Sequence, residues 1–160
     1  MSTAYLGLGS NVSARSNIAA GIEALREEFN NVRLSPVYQT PAVGFHGNDF
    51  INLTAAVDTG FEPIELKQFL NDLEDRHGRK RNVAKFSDRT LDIDILLYDD
   101  LFMLSPALKI PRAEILKFAH VLKPLADLAP DLMHPVRRKT IARIWRDYPG
   151  DRSGLRVIEL

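Results

Sequence analysis

The 160-residue chain has no cysteine, a single tryptophan and only 8% aromatic residues. Without thiols there is no disulfide framework, no zinc–thiolate centre and no cysteine nucleophile. It also lacks any excess of charge: 21 Lys and Arg balance 21 Asp and Glu. Whole-molecule attraction to nucleic acid or to an anionic bilayer is therefore not expected. No run approaches the roughly 18 apolar residues of a membrane-spanning helix. Met1 to Leu6 carries no basic region and no long apolar stretch, so a signal peptide is not expected and a cytoplasmic location is. There is no Walker A segment, and Gly7-Leu8-Gly9-Ser10-Asn11-Val12 has Val12 where a dinucleotide fingerprint requires its third glycine. His46, His77, His120 and His134 show no metal-ligand spacing and read individually as surface, turn or helix-end residues. What remains is 45% hydrophobic and 26% charged, the composition of one globular domain spanning residues 1–160.

Apolar periodicity orders the chain. Tyr5 to Leu8 reads as a buried strand running into a Gly9-Ser10-Asn11 turn. Ile18, Ile22, Leu25 and Phe29 recur at helical spacing, with Ser13 or Ser16 as cap and Asn30-Asn31 as terminator. Val32 to Thr40 is an expected edge strand, because Pro36 cannot donate to a ladder. Residues 41–49 form a loop and Phe50 to Thr59 a strand. Pro63 opens a helix carrying Leu66, Phe69, Leu70 and Leu73. Arg79 to Asp88 is a basic, weakly periodic and mobile connection. Thr90 to Tyr98 is the clearest strand. Helical pieces follow over Arg112 to Lys117, His120 to Leu128 and Thr140 to Tyr148, and Leu155 to Ile158 is a small final strand. The order β-α-β-β-α-β predicts an α+β, ferredoxin-like sheet with helices on one face and a C-terminal helical extension.

Chemistry concentrates on the clearest strand. In Leu91-Asp92-Ile93-Asp94-Ile95-Leu96-Leu97 the alternation sends Leu91, Ile93, Ile95 and Leu97 to the helices and both aspartates to the other face. Their Cα atoms would stand roughly 6–7 Å apart. Adjacent carboxylates on an apolar strand repel one another, and a divalent hard cation relieves this; Mg²⁺ is commonly held by one or two carboxylates plus phosphate oxygens. The bland alternative is a solvated outer face. Context favours the metal: Arg79, Lys80, Arg81, Lys85 and Arg89 crowd the preceding segment. Paired carboxylates beside a cluster of cations are what phosphoryl transfer uses. In the second loop, exposed backbone groups around Thr40 to Phe45 suit the edge of a flat heterocycle. Asn52 offers both donor and acceptor, and Phe50 shares its face for stacking. The alternative there is a core Phe50 and a turn-capping Asn52.

Taken together, Tyr5-Leu6-Gly7-Leu8-Gly9-Ser10-Asn11, Thr40-Pro41, Phe50-Ile51-Asn52, Asp88-Arg89-Thr90-Leu91-Asp92-Ile93-Asp94-Ile95-Leu96-Leu97 and Val121-Leu122-Lys123-Pro124-Leu125-Ala126-Asp127-Leu128-Ala129-Pro130 resemble the 6-hydroxymethyl-7,8-dihydropterin pyrophosphokinases of folate biosynthesis. The resemblance runs from about residue 3 to 135. It implies transfer of pyrophosphate from ATP to a pterin hydroxymethyl group, release of AMP, and two Mg²⁺ ions held by Asp92 and Asp94. It further implies that Asp92 orients or deprotonates the attacking hydroxyl and that Arg79 and Arg89 act on the phosphates as catalytic cations. Asn71, Glu74, Arg81 and Arg112 become nucleotide contacts. Thr40, Val43, Phe50, Asn52 and His120 become pterin contacts, with Phe50 and His120 in stacking positions. Partners would be ATP and a reduced pterin, with no nucleic acid or membrane, and a monomer.

The chain departs from the family pattern at three places. Pro111-Arg112-Ala113 replaces a histidine-containing pair, His120 stands where an aromatic ring is usual (it would stack less strongly, or Phe118 would substitute), and Phe86-Ser87-Asp88 replaces Trp-Gly-Pro. These departures keep open a paralogue acting on a different reduced pterin. A nucleotidyltransferase is disfavoured by the distance between Gly9-Ser10 and Asp92. A non-catalytic ferredoxin-like RNA-binding module would want aromatic residues within a basic face, where this chain has two acids.

Overall fold

The computed structural model describes residues 1–78 and 90–160. The expectations for Arg79, Lys80, Arg81, Lys85, Phe86, Ser87, Asp88 and Arg89 lie outside the described residues. In chain order the elements are β1 (Ser2–Ser10), α1 (Ala14–Glu28), β2 (Asn30–Leu34), β3 (Val37–Thr40), β4 (Phe50–Thr59), α2 (Pro63–Arg76) and β5 (Asp92–Tyr98). They continue with β6 (Met103–Leu104), β7 (Lys109–Ile110), α3 (Glu114–Lys117), α4 (Ala119–Leu128), α5 (Ile141–Arg146) and β8 (Arg156–Ile158). Sheet order is β5-β1-β4-β3-β8, with β2 also on β4. All of these pairings are antiparallel. This is the ferredoxin-like α+β arrangement, extended at its C-terminus.

Local chemistry explains the element ends. Ser13 occupies the cap position of α1 in a left-handed conformation, φ 46°, without a side-chain cap bond. Phe29 ends that helix, and Asn30-Asn31 already belong to β2. Pro63 stands at the start of α2, where Glu62 and Glu65 form a reciprocal capping box. The expected single edge strand from Val32 to Thr40 is two strands, split at Ser35-Pro36. Pro36 has no N–H to give, and Ser35 Oγ stands in as acceptor for the Thr54 amide at 2.9 Å. Nor is β3 an edge, since β8 covers its outer side.

Alternation divides the sheet into two faces. Ala4, Leu6 and Leu8 of β1, Ile51, Leu53, Ala55 and Val57 of β4, and Ile93 and Ile95 of β5 pack on Ile18, Ile22, Leu25, Leu66, Leu70 and Leu73 of α1 and α2. Leu97 departs from the expected alternation. Tyr5 pairs with Leu97 but Leu6 with Ile95, so Leu96 is an extra residue in β5. Such a bulge turns the following side chain to the opposite face. Leu96 and Leu97 therefore both enter a second core with Ile115, Ala119, Leu122, Leu125, Ala126, Ile141 and Tyr148. The C-terminal helices thus cover part of the face that a bare ferredoxin-like sheet would leave to solvent.

Polar ties fix this second layer. Tyr38 of β3 donates its hydroxyl to Asp127 of α4, and Lys123 reaches the other oxygen of that carboxylate at 2.6 Å. Burial, with the bonded and charged Asp127 adding to it, raises the Tyr38 hydroxyl above its ordinary titration range. Trp145 packs on Tyr148 with their ring centroids 5.8 Å apart, and the Arg152 guanidinium lies 4.3 Å above the Trp145 ring. His134, read from sequence as a surface, turn or helix-end residue, sits in a buried turn where its Nδ1 accepts the Arg137 amide at 3.0 Å. No described helix is long and apolar enough to cross a membrane.

Candidate active site

Three strands build the floor. Register places Asp92, Gly9, Asn52 and Tyr38 in one row across β5, β1, β4 and β3. Asp94, Gly7 and Thr54 form the next row. With strands about 4.8 Å apart, Asp92 and Asn52 stand roughly 10 Å from each other with a glycine between them. A Cβ on Gly9 would lie 2.9 Å from Asn52 Oδ1, and one on Gly7 would lie 3.4 Å from Leu96. The missing side chains therefore open a groove between the carboxylates and the amide.

That groove is part of a cavity of about 380 Å³. Asp92 and Asp94 line one end, with Arg112 and Glu114 beside them; Asn52, Phe50 and Thr40 line the other. Phe118, His120 and Val121 supply the wall from the α3–α4 layer, and Val43 and Phe45 the rim from the 41–49 loop. Asn52 sits mid-strand and donates Nδ2–H to Thr40 Oγ1 at 2.8 Å, which fixes its amide plane. It is not a turn cap. Phe50 is half-buried on the same face and meets Phe45 edge-on, with 6.3 Å between ring centroids. His120 lies nearly parallel to Phe118, 5.2 Å away, and burial lowers its pKa. The wall therefore presents an imidazole backed by an aromatic ring.

The carboxylate end is electrostatically tense. Glu74 of α2 is buried and accepts the Ile93 amide at 2.7 Å, between the two aspartates in sequence. Burial pushes the Asp94 carboxyl up to about 8; neighbouring Asp92 adds to this, Arg112 opposes it and Glu74 adds again. Arg112 Nη2 stands 3.6 Å from Asp94 Oδ1, and its Nε 2.6 Å from Glu114 Oε2. Among the described residues no three His, Asp or Glu side chains cluster as a metal-ligand set. Two carboxyl groups facing one polar groove nonetheless fit the donor set of Mg²⁺, whose charge would favour their ionised forms. That ion takes one or two carboxylate oxygens and completes its shell with water and phosphate.

Of the residues expected from the sequence, Asp92, Asp94, Arg112, Thr40, Val43, Phe50, Asn52 and His120 converge on the cavity. Asn71 and Glu74 do not line it as described; both lie on α2, with Glu74 turned into the protein behind β5. Arg79, Arg81 and Arg89 lie outside the described residues. Sequence reasoning missed Phe45, Glu114 and the floor role of Gly7 and Gly9. The glycines were signalled, since Gly7 and Gly9 alternate with Leu6 and Leu8 on a strand. Glu114 carried no comparable signal.

Comparison with known proteins identifies the family. Residues 5–130 match the family described as 7,8-dihydro-6-hydroxymethylpterin-pyrophosphokinase, HPPK. A 2-amino-4-hydroxy-6-hydroxymethyldihydropteridine pyrophosphokinase of Aquifex aeolicus is 38% identical over 143 residues, covering 88% of this chain and 89% of that protein. The Pseudomonas aeruginosa protein of the same name is 39% identical over 135 residues, covering 82% and 83%. The crystal structure of wild-type Plasmodium falciparum HPPK-DHPS with pteroate superposes with a TM-score of 0.72 at 15% identity. That match covers 92% of this chain but only 44% of the Plasmodium chain, and it bears on the fold alone. With the strand-borne aspartates, the glycine-floored groove and the matched length in agreement, the chain belongs to the 7,8-dihydro-6-hydroxymethylpterin pyrophosphokinase family, ATP-dependent diphosphotransferases of folate biosynthesis.

Proposed function

We propose that this chain transfers the β,γ-pyrophosphoryl group of ATP to the hydroxymethyl oxygen of 6-hydroxymethyl-7,8-dihydropterin. In this step the pterin oxygen bonds to the β-phosphorus, the bond from that phosphorus to the α,β-bridging oxygen breaks, and AMP leaves. The observation that carries the reading is the shared row of Asp92, Gly9 and Asn52. It sets a carboxylate and an amide at opposite ends of one groove, which suits a metal-bound phosphate at one end and a heterocycle edge at the other.

Asn52, its amide plane fixed by Thr40, reads the amino-pyrimidinone edge, with backbone groups near Thr40 and Val43 beside it. Phe50 and His120 flank the ring, His120 being already stacked on Phe118 for that role. This leaves the hydroxymethyl group directed along the glycine floor toward the aspartates. Asp92 and Asp94 would hold two Mg²⁺ ions, which supply charge neutralisation to the phosphate oxygens when bound. Asp92 also orients the hydroxyl and accepts its proton, while Arg112 adds positive charge at the nucleotide end. Arg79, Arg81 and Arg89 would add phosphate contacts from the neighbouring segment, and Asn71 and Glu74 would support the nucleotide side. The protein would act in the cytoplasm, as a monomer, without nucleic acid or membrane.

The test is AMP release from ATP and Mg²⁺ with a panel of reduced pterins. Turnover with 6-hydroxymethyl-7,8-dihydropterin at the highest kcat/KM supports the reading. Preference for another reduced pterin would make the chain a paralogue, a possibility that rests on His120 at the stacking wall. No AMP release with any of them would defeat it.

A further inference from the structure

Arg112 is tethered unusually for a nucleotide contact. Its backbone amide donates to Leu96 O at 2.9 Å, which pins the residue to β5 two positions beyond Asp94. Its guanidinium then faces two carboxylates at once, Glu114 at 2.6 Å and Asp94 at 3.6 Å. The shorter contact is to Glu114, which is not one of the strand aspartates. The longer one is made at the wall of the cavity that Arg112 and Asp94 both line. Although Nε–H is buried, no acceptor among the described residues lies in line with it, so this resting geometry leaves an arginine donor poorly used.

We propose that Arg112 is a resident counter-cation. It neutralises Asp94 while the cavity holds no nucleotide, competes there with an entering divalent ion, and moves to a phosphate oxygen when metal and nucleotide arrive together. Glu114 is the positioning residue that keeps the guanidinium at the rim in both states. This rests on the pyrophosphokinase reading of the cavity. Its physical basis is mutual exclusion: a guanidinium and a divalent cation repel, and both require the same carboxylate. A phosphate oxygen offers the displaced arginine an anionic partner of equal quality, and the Glu114 tether shortens the move.

The proposal requires effects of opposite sign. In Arg112→Met the nucleotide-free protein should bind Mn²⁺ about fivefold to tenfold more tightly, read by the free-ion paramagnetic resonance signal, because a competing cation is gone. The same variant should bind a non-hydrolysable ATP analogue with Mg²⁺ about tenfold more weakly. Glu114→Gln should weaken analogue binding severalfold, with KM for ATP rising and KM for the pterin unchanged. In the Arg112→Met background it should have no further effect, since it acts through the arginine. Circular dichroism melts confirm that each variant is folded. No gain in Mn²⁺ affinity for Arg112→Met, or an equal Glu114→Gln effect in both backgrounds, overturns the proposal while wild-type turnover stands. A wild-type protein that neither binds the analogue nor releases AMP removes the underlying reading as well.

Discussion

The two faces of one sheet obey different rules although the same strands make both. On the α1–α2 side, β1 presents Ala4, Leu6 and Leu8, and β5 presents Ile93 and Ile95, all buried. On the other side the same strands present Gly7, Gly9, Asp92 and Asp94 to a cavity. The first face is filled with apolar volume and contributes stability. The second is kept small, polar and partly open, and lines the cavity. Because the side-chain period is two residues, each cavity-facing group stands between two core residues, so the packing of one face locates the atoms of the other. A site built this way is rigid without a scaffold of its own.

The comparison breaks most visibly through the aspartates. Asp92→Ala or Asp94→Ala should lower kcat about a thousandfold or more, the scale of losing a principal charge-stabilising element in phosphoryl transfer, with little change in Tm. A variant that keeps near-wild-type turnover with Mg²⁺ would show that the polar face is not the reacting one. The opposite signature belongs to the packed face. Leu70→Ala, at a fully buried position, should lose about 2–5 kcal/mol of stability in urea titrations and retain kcat below its lowered Tm. A drop in kcat without a stability loss would mean the two faces are not separable.

A single methyl group sharpens the contrast at the groove floor. Gly9→Ala places a carbon 2.9 Å from Asn52 Oδ1, so the amide must turn away from its bond to Thr40. KM for the pterin should rise about tenfold, the worth of one hydrogen bond, while KM for ATP stays put. Equal changes in both would assign the floor to substrate entry in general.

The smallest effect is in pH dependence. In the metal-free fold the Asp94 pKa is raised from 3.8 to about 8. Folding therefore favours its protonated form, and that contribution is fully present below the unfolded value and lost as pH climbs through the folded one. Asp94→Asn removes the loss, so its Tm advantage over wild type should be small near pH 4 and grow toward about pH 8. Saturating Mg²⁺ should narrow the gap, because the ion favours the ionised carboxylate. A pH-independent gap would show that Asp94 does not titrate differently on folding.

Much of this was legible in the residues themselves. Period-two alternation in Leu91 to Ile95 placed the aspartates on one face, whereas Pro36, read as the mark of an edge strand, in fact splits two strands of which β3 is covered by β8. Other features lay beyond pattern reading. Leu96 and Leu97 are both apolar, so nothing in their identity distinguishes a regular strand from a bulged one; the pairing with Tyr5 and Leu6 decides it. Glu114 was invisible because its meaning depends on Arg112 being pinned to Leu96, a contact between segments sixteen positions apart. Nor was the cover over part of the aspartates' face legible: α4 carries Leu122, Leu125 and Ala126 onto it, and a helical stripe does not announce which sheet surface it will meet. His134 showed the same limit: its burial follows from the turn it organises, not from its neighbours in sequence.

The surplus residue at Leu96 has an evolutionary corollary. It lets β5 anchor both hydrophobic layers in succession, so the spacing between the aspartates and the start of the outer layer is set by residue count. Insertion or deletion of one position between Asp94 and Tyr98 would exchange inward and outward identities for the rest of that strand, Arg112's anchor at Leu96 included. Lineages descending from this protein can thus vary side chains along that stretch, but its length should stay frozen, while the 41–49 rim is free to grow or shrink around new substrates.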